Sequence, residues 1–197
     1  MVFYMSYILV SGQYQNGKDT FSNLLRECLN NQGLEVWNRA AFSDKLKDIV
    51  CDIYQVDRDF IEKWKVIDYP PPGWDKSVRD VLIHIGEGLR EFKYDIWIKH
   101  LLKRQGNLII SDCRYLDEME YFKQYKSKNI VIWYPGRENN KNSRGEQEIF
   151  KYCESFRQRR LNGLVEDPLV DFHILNDGDI VTLTRTILNL VIPNINK

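Results

Sequence analysis

The sequence predicts an α/β fold, with about five strands in a mainly parallel sheet and helices on both of its faces. Three observations carry this expectation. Short apolar runs bounded by turn residues alternate with longer stretches whose apolar residues recur at helical spacing. Several of the runs are apolar throughout, as strands covered on both faces are. The first of them leads straight through a loop holding two glycines into a helix, the order of a phosphate-binding loop.

Taken in order, Tyr7–Val10 is a strand ending near Gly12. Thr20–Asn31 is a helix because Phe21, Leu24, Leu25, Cys28 and Leu29 share one face, and Gly33 stands where a helix stop belongs. Leu34–Ala41 reads as a second strand and Ser43–Tyr54 as a helix. Tyr69-Pro-Pro-Pro-Gly-Trp74 is a rigid loop that no helix could cross. Lys76–Arg90 places Val78, Val81, Leu82, Ile85 and Leu89 on one stripe, and Tyr94–Arg104 continues helically. Strand Asn107–Ser111, helix Asp117–Tyr125, strand Asn129–Tyr134, strand Asp171–Leu175 and helix Asp179–Leu190 complete the set. Pro135–Arg144, rich in Gly, Asn and charge, reads as a mobile loop. With no internal repeat and no interdomain linker, residues 1–197 read as a single domain.

Composition narrows the function classes. Lys+Arg and Asp+Glu are both 28, so no global field draws the chain to a nucleic acid polymer or an anionic membrane, and any anion site must be local. No apolar run approaches the roughly 20 residues that span a bilayer. The apolar N-terminus lacks a basic start and reads as a strand rather than a signal peptide. Cys28, Cys51, Cys113 and Cys153 lie far apart, which suits reduced thiols in a cytoplasmic protein.

The most informative stretch is Ile8-Leu-Val-Ser-Gly12-Gln-Tyr-Gln-Asn16-Gly17-Lys18-Asp19-Thr20. The two glycines let the backbone wrap a polyphosphate, with N–H groups aimed inward at a helix N-terminus. Lys18 would reach the β- and γ-phosphates. Where the usual pattern has Ser or Thr after the lysine, Asp19 stands, with Thr20 next. Asp19 is therefore one candidate metal ligand. A second constellation, Leu108-Ile-Ile-Ser-Asp112-Cys-Arg114, puts an acid at the C-terminal end of an apolar strand, where a parallel sheet presents ligand groups. Asp112 could hold Mg²⁺, or cap the following loop. Arg114 could clamp a phosphate bidentately, or pair with a surface acid.

Together these segments make the chain resemble the deoxynucleoside monophosphate kinases of bacteriophage type, a branch of the P-loop nucleotide kinases. The likeness rests on Ser11–Thr20, on Val78-Arg79-Asp-Val-Leu-Ile-His-Ile-Gly86 with Trp97 downstream, and on Ile110–Glu118. Phe172-His-Ile-Leu-Asn176-Asp-Gly178 is similar to the family's closing strand and adenine-side loop. Gly-Lys-Asp-Thr is itself a habit of that family. The segments 49–76 and 136–170 match poorly, and the family's histidine-containing motif near the lid is not visible. Ser143-Arg-Gly-Glu146 is at best a degenerate remnant of it. Animal-type phosphomevalonate kinases are also similar, through Gly17-Lys-Asp19 and the Ser-Asp-x-Arg strand end.

The resemblance implies a P-loop kinase fold, ATP and Mg²⁺ as cofactors, small nucleotides as partners, and transfer of a γ-phosphoryl group to a nucleoside monophosphate. It implies ATP contacts from Gly12, Asn16, Gly17, Lys18, Asp19, Thr20 and Asn176, with Arg79 and Arg114 near the acceptor. A homodimer stays open. The acceptor phosphate is already anionic near neutral pH, its second pKa being about 6, so charge neutralisation and alignment matter and no general base is needed.

Weaker acceptor-side candidates each have a plainer reading. Trp97 could stack on a base or belong to the core. Arg90 could extend the pocket or answer a helix dipole. Asp44 and Lys45 begin a helix in the acceptor region, and capping accounts for Asp44 equally. Because water must be kept from the γ-phosphate, a lid is expected over 135–160, with Arg137, Arg144, Arg157, Arg159 and Arg160 as its cations. His84, His100 and His173 are too scattered to be ligands.

Overall fold

The computed structural model describes residues 5–33, 35–134, 144–161 and 167–195, without the side chains of 146 and 156–161. The chain forms two compact units, Met1–Ala41 with Gln105–Lys197, and Phe42–Arg104.

The first unit is built on five strands: β1 (Ser6–Gly12), β2 (Trp37–Ala40), β3 (Asn107–Cys113), β4 (Lys126–Trp133) and β5 (Phe172–Leu175). Their order is β2-β3-β1-β4-β5, and every neighbouring pair is parallel. The expected α/β architecture is therefore present, with the glycine loop leaving the central strand. Side chains alternate across the pleat, so Ile8, Val10, Ile109, Ile130, Ile132 and Ile174 line one face. There they pack with Phe21 and Leu25 of α1 (Lys18–Asn31) and with Leu183 and Ile187. Towards the other face Tyr7 meets Phe122 edge-on at 4.9 Å.

Two strands start three residues away from where their apolar runs begin, for one reason: the backbone ladder sets strand length. β4 starts three residues early, because Lys126–Lys128 pair with Ser6–Ile8 although their side chains are polar. β2 starts three residues late, at Trp37, opposite the first residue of β3. Before it Val36 is 72% exposed, and Leu34 lies outside the described residues.

The second unit is helical: α2 (Ser43–Tyr54), α3 (Arg58–Trp64), α4 (Val78–Phe92) and α5 (Ile96–Leu101). Val50, Ile61, Val78 and Val81 form its core, with Trp64, Trp74, Leu82 and Ile85 against them. The proline-rich loop ends on this core, since the Trp74 ring stacks on Tyr54 at 3.9 Å. Ser77 caps α4, its Oγ accepting the Asp80 N–H at 3.1 Å. Helix α3 has no counterpart among the sequence expectations. It is short, and Asp57 caps it by accepting the Phe60 N–H at 2.7 Å.

The remaining helices belong to the first unit: α6 (Leu116–Phe122), α7 (Arg144–Leu161) and α8 (Ile180–Thr186). Helix α8 passes into a π-helical turn over Ile187–Val191, so the helix expected over Asp179–Leu190 is regular only in its first half. Leu183, Ile187 and Val191, spaced by four, stay buried throughout. Of the segment expected as a lid, Pro135–Ser143 with Arg137, and the side chains of Arg157, Arg159 and Arg160, lie outside the described residues. Its described part is helical, with Gly145, Ile149 and Cys153 buried. No described helix is long and apolar enough to cross a membrane, and none of the four cysteines is disulfide-bonded.

Candidate active site

The phosphate loop is shaped by backbone that only glycine tolerates at two points. Gly12 has φ +147°, and a Cβ there would stand 2.5 Å from the Ile132 carbonyl oxygen. Gly17 has φ +87° and opens α1 with no side-chain cap, leaving first-turn N–H groups for an anion. Lys18 folds back over the loop, and its Nζ donates to the carbonyls of Gly12 at 2.6 Å and Gln13 at 2.7 Å. An ammonium parked on backbone carbonyls can transfer to a polyphosphate without leaving the loop mouth.

Two asparagines tie this loop to neighbouring strands. Asn16, only 1% exposed, donates its Nδ2 to the Ile132 carbonyl at 3.2 Å. Asn176, just after β5, donates its backbone N–H to the Trp133 carbonyl at 2.6 Å and its Nδ2 to the Asn16 carbonyl at 2.9 Å. Among the described residues, three buried atoms at this end of the sheet lack a partner: Asn16 Oδ1, Ser11 Oγ on β1 and Ser111 Oγ on β3. Asp19 is ion-paired with Arg39 at 2.5 Å and its side chain is 69% exposed. Thr20 is exposed.

Asp112 is 9% exposed near the end of β3, the strand next to β1. Immediately after the strand, Glu118 of α6 accepts the N–H groups of Arg114 at 2.8 Å and Tyr115 at 3.1 Å, which fixes the bend carrying Arg114. Glu118 is 2% exposed. Helix α7 seats on the same bend: a Cβ on Gly145 would stand 2.5 Å from the Arg114 carbonyl and 2.8 Å from the Tyr115 ring. Sequence reasoning included Glu118 only as the end of a motif and Gly145 only within the expected lid, without these contacts. A Glu four residues after Arg114, in the first turn of a helix, was the available signal for one. For the packing of Gly145 on this bend there was no local signal. Burial and the nearby carboxylates Glu118 and Asp112 push the Cys113 thiol well above its usual range, so it stays protonated and inert.

Apart from Arg114, the acceptor-side candidates lie in the helical unit. Asp44 does not cap α2. Its carboxylate faces Arg104 at 3.1 Å and Arg58 at 3.7 Å, and its carbonyl accepts from Arg58 at 2.8 Å. Lys45 is half-buried. Burial first, then the charges of Lys45, Lys103 and Arg104, hold His100 below the usual histidine range, marking a locally positive surface. Arg79 and Arg90 are eleven positions apart on α4, about three turns, so they share a face about 16 Å apart. Both are half-buried. Of the two readings of Trp97, the structure supports the core one: the residue is 6% exposed, and its Nε1 donates to the Gly86 carbonyl at 3.1 Å.

His173 Nε2 meets Asp167 at 3.0 Å and His84 Nδ1 meets the Asp80 carbonyl at 2.8 Å, both local contacts. Among the described residues no group of three or more His, Cys, Asp or Glu side chains could hold a metal ion.

The structure thus gathers Gly12, Asn16, Gly17, Lys18 and Asn176 around one loop. A glycine loop after a central strand, with an acid at the end of the adjacent strand, makes this an α/β P-loop fold. No protein-family model and no curated protein matches the sequence. Similar solved structures include a shikimate kinase from Acinetobacter baumannii in complex with shikimate, with TM-score 0.49, 14% identity, and 99% of this chain and 97% of that one covered. A dephospho-CoA kinase from Campylobacter jejuni gives 0.48 and 13%, covering 98% of both chains. A thymidylate kinase from Ehrlichia chaffeensis gives 0.44 and 15%, covering 95% of this chain and 99% of that one.

Proposed function

We propose that this protein is a kinase that transfers the γ-phosphoryl group of ATP to a nucleoside or deoxynucleoside monophosphate. The observation that carries the reading is the loop from Gly12 to Lys18. It holds two glycines at positive φ, an uncapped helix start and a lysine ammonium resting on the loop's own carbonyls.

In this reading the loop amides and Lys18 hold the β- and γ-phosphates, and they neutralise charge that builds on the transferring group. The donor chemistry fits Mg²⁺, which needs only one or two oxygen ligands from protein beside phosphate and water. Asp112, buried at the strand end, is the carboxylate for it, and Thr20 supplies a hydroxyl. Asp19, exposed and engaged by Arg39, would have to give up its ion pair to serve. When bound, Mg²⁺ would screen the phosphate oxygens and lower the repulsion between donor and acceptor. Arg114, on a bend fixed by Glu118, and Arg79 hold the acceptor phosphate, with Arg90, Lys45 and Asp44 as further acceptor-side groups. Lid cations from 135–160 complete the exclusion of water.

The burial of Trp97 favours a second reading. With the expected base-stacking ring committed to packing, another phosphorylated small molecule such as phosphomevalonate fits the cationic groups equally well. One experiment separates these. ADP release is measured against each common ribo- and deoxynucleoside monophosphate and against phosphomevalonate. Turnover with a nucleotide supports the first reading, and turnover with phosphomevalonate alone supports the second. ATP binding with no acceptor-dependent ADP release would reject both in favour of a non-catalytic ATP-binding module.

A further inference from the structure

Asn176 follows the last strand, 160 residues from the loop it touches. The resemblance assigned it to the adenine side of ATP. We propose instead that Asn176 is a positioning residue: its amide braces the phosphate loop and orients the Gly17 N–H towards a bound polyphosphate. The inference rests on the phosphate-site reading above and names a group that acts through the loop.

The geometry argues as follows. The peptide joining Asn16 to Gly17 is planar and trans, so its carbonyl and its N–H point in opposite directions. Asn176 Nδ2 holds that carbonyl at 2.9 Å, on the side facing β5. The N–H of Gly17 must then face away from β5. Asn176 is itself anchored, because its backbone N–H is bonded to the Trp133 carbonyl at 2.6 Å. The preceding carbonyl of β4, Ile132, receives Asn16 Nδ2 and stands where a Cβ on Gly12 would meet it at 2.5 Å. Two successive carbonyls at the end of β4 are thus the posts to which the loop is moored, one directly and one through Asn176.

The fit is close enough that a side chain at Gly17 would have to displace the Asn176 amide. A Cβ there would stand 2.6 Å from Asn176 Nδ2. Glycine at 17 thus meets the positive φ and leaves room for the Asn176 amide to reach the loop. A preorganised donor helps a charged transition state because it need not reorient when charge develops. Loosening the brace should cost affinity for any polyphosphate, whether or not a base is attached.

That distinction supplies the test. Binding of ATP and of inorganic tripolyphosphate is measured by calorimetry on wild type, Asn176→Ala and the near-isosteric Asn176→Leu, with thermal unfolding to confirm that each variant is folded. Loss of one hydrogen bond of this kind should weaken both anions by about tenfold. Amide ¹⁵N relaxation on the free proteins should show lower order at Tyr14–Gly17 in the variants. Weakening for ATP alone would mean a base contact and would overturn the proposal, as would unchanged affinity for both. Unchanged relaxation would overturn it as well. A wild-type protein that bound neither anion would break the kinase reading, and the relaxation comparison would still decide whether Asn176 orders the loop.

Discussion

Gly12–Gly17 is moored by backbone and neutral amides, with the Asp19–Arg39 ion pair just beyond it, whereas in Phe42–Arg104 charged side chains grip one another. Asn16, Asn176, Ile132 and Trp133 moor the loop with amide–carbonyl bonds. In the helical unit Asp44 faces Arg58 and Arg104, and Lys47 and Lys65 both engage Glu62. The difference has a physical reason. A site for a polyanion must keep its cation available and its donors fixed, so structural work there falls to uncharged groups that do not compete for the ligand. Lys18 carries its charge on the loop's own carbonyls, in bonds a phosphate can replace. The helices of the second unit have no such constraint and use ion pairs at their edges.

The sharpest way to break this comparison is to remove the one charge. Lys18→Ala should lower kcat/KM for phosphoryl transfer by at least about a hundredfold while leaving the urea unfolding midpoint near wild type, since the amide moorings remain. A variant keeping more than a tenth of wild-type activity would mean that the loop is not the catalytic phosphate site.

Next in size is a change to the moorings themselves. Gly12→Ala forces a Cβ to 2.5 Å from the Ile132 carbonyl at a φ of +147°, and should destabilise the protein by about 2–3 kcal/mol. Equilibrium urea unfolding reads this directly. A loss below about 0.5 kcal/mol would show that the end of β4 yields easily, so that it cannot be the post to which the loop is tied.

How far the sequence announced these arrangements follows from the range of each interaction. The loop itself was legible because glycine, lysine and strand-to-helix order are local properties of a dozen residues. Asp112 was legible for the same reason, as an acid ending an apolar run. The mooring by Asn176 was not, because its partner is distant in the chain and an asparagine after a strand suits a turn, a cap or a ligand contact alike. Helix α7 was overlooked because Ile149 and Cys153, its buried pair, are embedded in a polar stretch without a wide apolar stripe. Trp97 stayed open between two readings for the opposite reason. An aromatic at helical spacing looks the same whether it stacks on a base or, as here, donates to Gly86 inside the helical unit.

The third prediction asks whether side-chain cations do separate work from the loop. Arg79→Ala and Arg114→Ala should each raise the KM for the acceptor by about tenfold, the worth of one charge-assisted hydrogen bond, and leave ATP affinity within about twofold of wild type. The donor keeps Lys18 and the loop amides in both variants. If titrations showed the arginine variants losing ATP and keeping the acceptor, donor and acceptor groups would have to be exchanged.

The smallest effect tests the ion pairs of the helical unit through pH. Burial alone would raise the pKa of Glu62, yet its contacts with Lys47 and Lys65 prevail and hold it at about 2, below the ordinary 4.5. A carboxylate with a depressed folded pKa contributes stability that is fully present above its unfolded pKa and is lost as pH falls through the folded one. The window is therefore about pH 4.5 down to about 2. Glu62 is 43% exposed in its side chain, so solvent screening leaves only a few tenths of a kcal/mol. Glu62→Gln should lose that amount at pH 7, and the gap between variant and wild type should close on acidification through this window. Added salt should close it too, since screening acts on exposed charges. The same salt titration applied to Asn16→Ala, whose lost bond joins two neutral groups, should leave that variant's stability deficit unchanged. A deficit at Asn16 that shrank with salt as the one at Glu62 does would erase the distinction between an amide-moored loop and a charge-gripped helical unit.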